Sequence, residues 1–267
     1  MLTRSEMKFV PGTILRKEML SDLYSYPRMV TESLFAGFSD GILYGLEWVK
    51  EKSSNHHIIK PGALKLHGKV YFMDSSLNVE ETLGTLSDGT RYRLYFREKK
   101  ECCIILKNSL NIFDLELKPV LKEEWDEADK DGFYYAYILC SNGELRKMED
   151  SKIGGLFASD DEYGFKLPPE IVKESLEPVY EKKSRKHSLD YLMLKDLCEN
   201  KPISVGLVKM YLDEAGCDCG EDELKNPVEL LKKLKSACEK LEPETVVQIR
   251  EIPDDSKKDT KKLGGML

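Results

Sequence analysis

The stretch "PGALKLHGKVYFM" (residues 61–73) holds two glycines and a Gly-Lys step, so it reads either as a phosphate-binding loop or as β structure. A phosphate loop needs a four-residue spacer between its glycines and a Ser or Thr after the Lys. Its backbone N–H groups then wrap the phosphates while the hydroxyl holds Mg²⁺. Here five residues separate Gly62 from Gly68, and Val70 stands where the hydroxyl should be. The spacer alternates apolar and polar residues, which is strand behaviour. The stretch is therefore expected to be a strand over 63–73, entered through a Pro61-Gly62 turn and bent or bulged at Gly68. Leu64, Leu66, Val70 and Phe72 are expected to face inward.

The same texture extends outward. "TRYRLYFREKK" sets Tyr92, Leu94 and Phe96 against Arg91, Arg93, Tyr95 and Arg97. "SLNIFDLELKPV" and "GFYYAYILCSNGELRKM" add strands, the second turning at Asn142-Gly143, a strong hairpin signal. Upstream, Pro27 stands where a helix could begin. Gly37, Ser39, Asp40 and Gly41 then break the helical pattern before a strand from Ile42. From residue 41 to about 147 the spacing predicts an antiparallel sandwich or open barrel.

Between 148 and 168 Gly, Ser and Asp accumulate, and Pro168-Pro169 closes the stretch. Beyond it the apolar period becomes helical, with Ser188 together with Asp190, and Ser204, as expected N-caps and Gly216 as a stop. The expected organisation is α+β: a β-rich domain over 1–150, a linker over 151–168, a small helical bundle over 169–245 and a polar tail over 246–267.

Composition narrows the function classes. With 41 Lys and Arg against 48 Asp and Glu the net charge is −7, which argues against general nucleic-acid binding. No apolar run reaches bilayer length, and the start lacks a signal-peptide core, so a cytoplasmic protein is expected. Seven cysteines, with Cys102-Cys103, Cys198 and Cys238 in apolar patterns, read as reduced thiols.

Few residues carry chemistry. His56-His57 are adjacent and would point to opposite faces of a strand. Cys217-Asp218-Cys219 is half a zinc site. There is no Gly-x-Ser-x-Gly, and His187 reads as part of the basic, solvated start of a helix that opens with Lys182-Lys183. No catalytic, cofactor-binding or metal residue is assigned, and no cofactor is expected. What stands out is aromatic surplus, above all in "FYYAY". It nominates Tyr134, Tyr135 and Tyr137, with Tyr95, as a candidate partner interface, because such sheets bury a second face against another protein.

Residues 11–73 carry a further pattern: Phe38-Ser39-Asp40-Gly41-Ile42, Gly45-Leu46-Glu47, Ile59-Lys60-Pro61-Gly62 and Gly68-Lys69-Val70-Tyr71-Phe72. This quarter of the chain resembles the N-terminal region of accessory baseplate proteins from prophage tails and phage tail-like contractile injection systems of Gram-positive bacteria. The resemblance implies a non-enzymatic structural subunit whose partners are other protein subunits. Asp40, Gly41, Gly45, Pro61, Gly62 and Gly68 would be its turn-forming residues. Two rival readings stand beside it: an enzyme with a site at the junction near Gly154-Gly155, and a single-stranded nucleic-acid module using the Arg91, Arg93 and Arg97 face.

Overall fold

The computed structural model describes residues 17–51, 56–98, 115–142, 144–147, 153–183 and 187–241, with side chains from residue 25 onward. Helix α1 (Lys17–Leu34) is followed by strands β1 (Gly41–Gly45), β2 (Trp48–Lys50), β3 (His57–Ile59), β4 (Gly62–Leu66), β5 (Lys69–Met73) and β6 (Leu77–Asn78). Helix α2 (Val79–Leu83), strands β7 (Arg91–Glu98) and β8 (Leu115–Val120) and helix α3 (Trp125–Asp131) come next. Strands β9 (Gly132–Ser141), β10 (Glu144–Lys147), β11 (Phe157–Ala158) and β12 (Phe165–Leu167) precede the helical part. That part is α4 (Pro169–Lys182), α5 (Ser188–Cys198), β13 (Ile203–Ser204), α6 (Val205–Glu214), α7 (Glu221–Leu224) and α8 (Pro227–Lys240). The mixture of antiparallel sheets and helices is the expected α+β class.

Three sheets form. Strands β10-β9-β7-β8 make an antiparallel sheet, and β2-β3-β6 a small second one. The largest, β13-β12-β11-β1-β4-β5, draws strands from both halves of the chain. Residues 151–168 were expected as a linker, yet β11 and β12 lie in it, and β11 pairs parallel with β1 at Ile42↔Phe157. One apolar core collects Ile42, Leu64, Leu94, Tyr135 and Ile138 between the sheets. A second collects Leu167, Leu176, Met193, Ile203, Tyr211 and Leu234 from the helices and the far end of the large sheet.

Local chemistry explains several boundaries, and corrects others. Helix α1 begins ten residues before Pro27 and runs through it. Ser204 caps α6 by accepting from Leu207 N–H (3.2 Å). The cap of α5 is His187, not Ser188: its Nδ1 accepts from Leu189 N–H (3.2 Å), and the Asp190 carboxylate accepts from His187 N–H (2.8 Å). His187 is thus buried at a helix start and not solvated. Strands β9 and β10 pair in the register of a hairpin, and Asn142 takes φ +54°, the left-handed conformation that primed turns require. Cys102-Cys103 and the tail at 246–267 lie outside the described residues.

Candidate functional site

Most of the resemblance residues converge on one unit built from β1, β4 and β5, while Ile59 ends β3 in the small second sheet. The 61–73 stretch is two strands: His67 (φ +50°) and Gly68 (φ +76°) form a two-residue turn, with Leu66 opposite Lys69. Left-handed φ at both positions is the signature of a type I′ hairpin. A two-residue turn puts positions 66 and 69 on the same face, which inverts the parity assumed for one continuous strand. Leu64 keeps its inward side, Val70 moves to the opposite face, and Phe72 is 59% exposed. The expected inward set at 64, 66, 70 and 72 is thereby corrected.

Asp40 fixes the turn by accepting from His67 N–H (2.8 Å). Gly45 and Gly62 face each other across β1 and β4. A Cβ on Gly45 would lie 2.2 Å from the Pro61 carbonyl oxygen, and one on Gly62 would lie 2.4 Å from that of Tyr44. The backbones meet where only hydrogen fits, so glycine is required at both positions. Behind the hairpin, buried Lys65 reaches the end of α1, donating to the carbonyls of Phe35 (2.7 Å), Ala36 (3.3 Å) and Phe38 (2.5 Å). It satisfies the carbonyls of the turn that follows α1 and so anchors the exit of that helix to β4.

Register also aligns Tyr44, Ala63 and Phe72 across the three strands. Cross-strand neighbours share a face. Ala63 is fully covered, while Tyr44 (54%) and Phe72 are more than half exposed. Two large rings thus flank a small residue on a sheet whose edge is β5.

The tyrosines expected at a partner interface lie elsewhere. Tyr95 is fully buried, donates to Asp129 Oδ1 (2.5 Å), and burial with that bond pushes its phenol up to about 12. Tyr135 is buried in the inter-sheet core, where its hydroxyl donates to the Leu46 carbonyl (2.5 Å) and burial raises its pKa. Tyr137 is buried and edge-on to Trp125 (5.8 Å), and half-buried Tyr134 sits beside Tyr95 (5.7 Å). The surplus has an internal explanation: α3 covers the face of β7 and β9 turned away from the inter-sheet core, so aromatics on both faces are consumed within the chain. These four residues are not a free surface.

The basic strand face fails likewise. Arg93 is buried, its guanidinium 3.7 Å from the Trp125 ring centroid, 5.0 Å from that of Tyr134 and 3.6 Å from Asp129. Arg97 pairs with Asp131 (3.3 Å). Only Arg91 of the three is exposed.

A cleft of about 220 Å³ lies at the junction, lined by Leu46, Trp48, Tyr135, Gly154, Gly155 and Pro169 among others. It contains no His or Cys. Its carboxylates are engaged: Glu47 with Lys60 (2.7 Å) and Asn200 (3.2 Å), Glu170 with Lys147 (3.6 Å). Gly154 and Gly155 are there because the Tyr135 carbonyl presses on them, at 2.7 and 3.1 Å from their ideal Cβ positions. Such a cleft holds two packed parts together and offers no nucleophile with a base.

Sequence reasoning missed the buried cluster in the helical part. Asp190, fully buried, accepts from Lys183 Nζ (3.1 Å), from His187 N–H and from the Tyr211 hydroxyl, which lies 3.1 Å from that of Tyr180. Burial raises both phenols and pushes the Cys238 thiol up to about 11, away from a reactive thiolate. No hydropathy signal marks Asp190, since its pattern position is that of an ordinary capping-box carboxylate. His57 is fixed against Glu80 (2.8 Å), and no group of three or more potential metal ligands occurs among the described residues.

No family model matches the chain, and no curated protein matches it. Among solved structures it is similar to the crystal structure of TssK, at 12% identity and a TM-score of 0.41, over 89% of this chain and 69% of that one.

Proposed function

We propose that the chain is a non-enzymatic structural subunit of a phage tail-like contractile particle, at its baseplate. The observation that carries this is the pair of exposed rings, Tyr44 and Phe72, aligned on either side of the covered Ala63. It lies on the same three-stranded unit that holds the resemblance residues at 41–45, 62 and 69–72. Within that unit Asp40, Gly45, Gly62 and Gly68 are spent on shaping the strands, so their recurrence in a family is a recurrence of shape. Large rings displayed on such a scaffold suit contact with another protein subunit. The polar side chains that could do chemistry at the junction cleft and in the helical core are held in structural pairs.

The test is genetic. Deleting the gene in its host is expected to abolish sheathed particles seen by electron microscopy, and the chain should be present in particles purified from the parent strain. Normal particles without the chain would sink the proposal. Arg93 is buried against Trp125 and Tyr134, so Arg93→Glu is expected to unfold the chain.

A further inference from the structure

We infer that α1 is an arm standing out from the molecule, its direction locked at the root by one buried cation, Lys65. The side chains from Ser25 to Val30 are all exposed. A helix turns once in about 3.6 residues, so this run takes in every side of α1 and leaves no face of it against the body. Among the described side chains, contact begins at Thr31 and Glu32, half-buried where α1 approaches β5. None of the described residues of α1 belongs to an apolar core. Support comes from within the helix: Thr31 and Ser33 donate to the carbonyls of Pro27 (2.9 Å) and Met29 (2.7 Å), and Arg28 pairs with Glu32 (2.9 Å). A helix without a packed face takes its direction from its attachment.

That attachment is the turn from Phe35 to Asp40. Its far end is fixed to the sheet. Ser39 N–H donates to the Ser159 carbonyl (3.0 Å), the Ser39 hydroxyl accepts from Ser159 N–H (3.2 Å), and Asp40 accepts from His67 N–H (2.8 Å). Lys65 acts on the turn itself, through the carbonyls of Phe35, Ala36 and Phe38. It is 5% exposed and has no carboxylate partner among the described residues. A buried ammonium needs acceptors for its protons, and these three carbonyls supply them. Swinging α1 aside would draw the carbonyls away and leave the charge buried without them, so the cation resists the motion. Lys65 and Ala63 lie on one face of β4, opposite Val70 and Phe72 of β5. The arm is thus a fixed landmark on the face that displays Tyr44 and Phe72.

Electron spin–spin distance measurement on the full-length chain tests this. Nitroxides carried on ketone-bearing side chains at the positions of Tyr26 and Leu121, both exposed, leave the cysteines untouched. The parent should give one narrow distance distribution. Lys65→Met and Lys65→Gln should each broaden it about twofold in a chain that still folds. Met29→Ser and Val30→Ser should leave the melting temperature at the parent's value, because neither side chain packs on the body. A broad distribution in the parent, an unchanged one in a folded Lys65 variant, or a lower melting temperature with either serine would each overturn the inference. Loss of the fold in both Lys65 variants would do so as well, since Lys65 would then be a support of the core and not a lock on the arm. None of these outcomes bears on the particle reading, which is decided by whether particles assemble.

Discussion

Single residues here do structural work that their sequence context only partly announces. Tyr135 looked like surplus surface because aromatics fill both parities of "FYYAY"; its hydroxyl in fact satisfies the carbonyl of Leu46, a residue held at φ +55°. Tyr135→Phe is expected to lose about 1–2 kcal/mol in urea unfolding, and Tyr135→Asp to unfold the chain. At Gly45 the neighbouring backbone leaves no room, so Gly45→Ala is expected to cost more than about 2 kcal/mol. Tyr95 gives a pH signature. Its folded pKa stands above its usual 10.0, so the stability it contributes is intact below pH 10 and is lost as pH rises toward about 12. Tyr95→Phe should remove that part of the alkaline loss, read from melting temperature against pH. Asp190→Ala should cost about 3–5 kcal/mol, because it leaves the Lys183 charge buried without its carboxylate.

At the scale of elements, the alternation of polar and apolar residues was legible where turns were legible. Asn142-Gly143 announced the β9–β10 pair, and the alternation through 91–97 placed Tyr92, Leu94 and Phe96 in the core correctly. His67-Gly68 is a weaker turn signal than Asn-Gly, so 61–73 reads as one strand, and the missed turn inverts the face of everything after it. The covering of a second sheet face by α3 had no local signal at all, since Trp125 and Ala128 sit in a run of carboxylates that reads as solvated. Hydrogen exchange should find α1 protected at its C-terminal end through Lys65, and Lys65→Met should abolish that protection while β4 and β5 stay protected.

The molecule as a whole is joined by its large sheet. Since β13 and β12 belong to the helical core and β1 and β4 to the inter-sheet core, the two cores share a backbone hydrogen-bond ladder. Unfolding followed by Trp48 and Trp125 fluorescence should therefore coincide with loss of helical circular dichroism; two separated transitions would contradict a shared ladder. Pairing across the 151–168 boundary could not be read from sequence because two- and three-residue strands carry no periodicity. The same sheet displays Tyr44 and Phe72 at its β5 end, and on that row the functional account rests. The most direct test is to complement a deletion strain with the Tyr44→Ser/Phe72→Ser double variant and count sheathed particles by electron microscopy. The account predicts a folded chain with the parent's melting temperature and few or no particles; particle numbers equal to the parent's would contradict it.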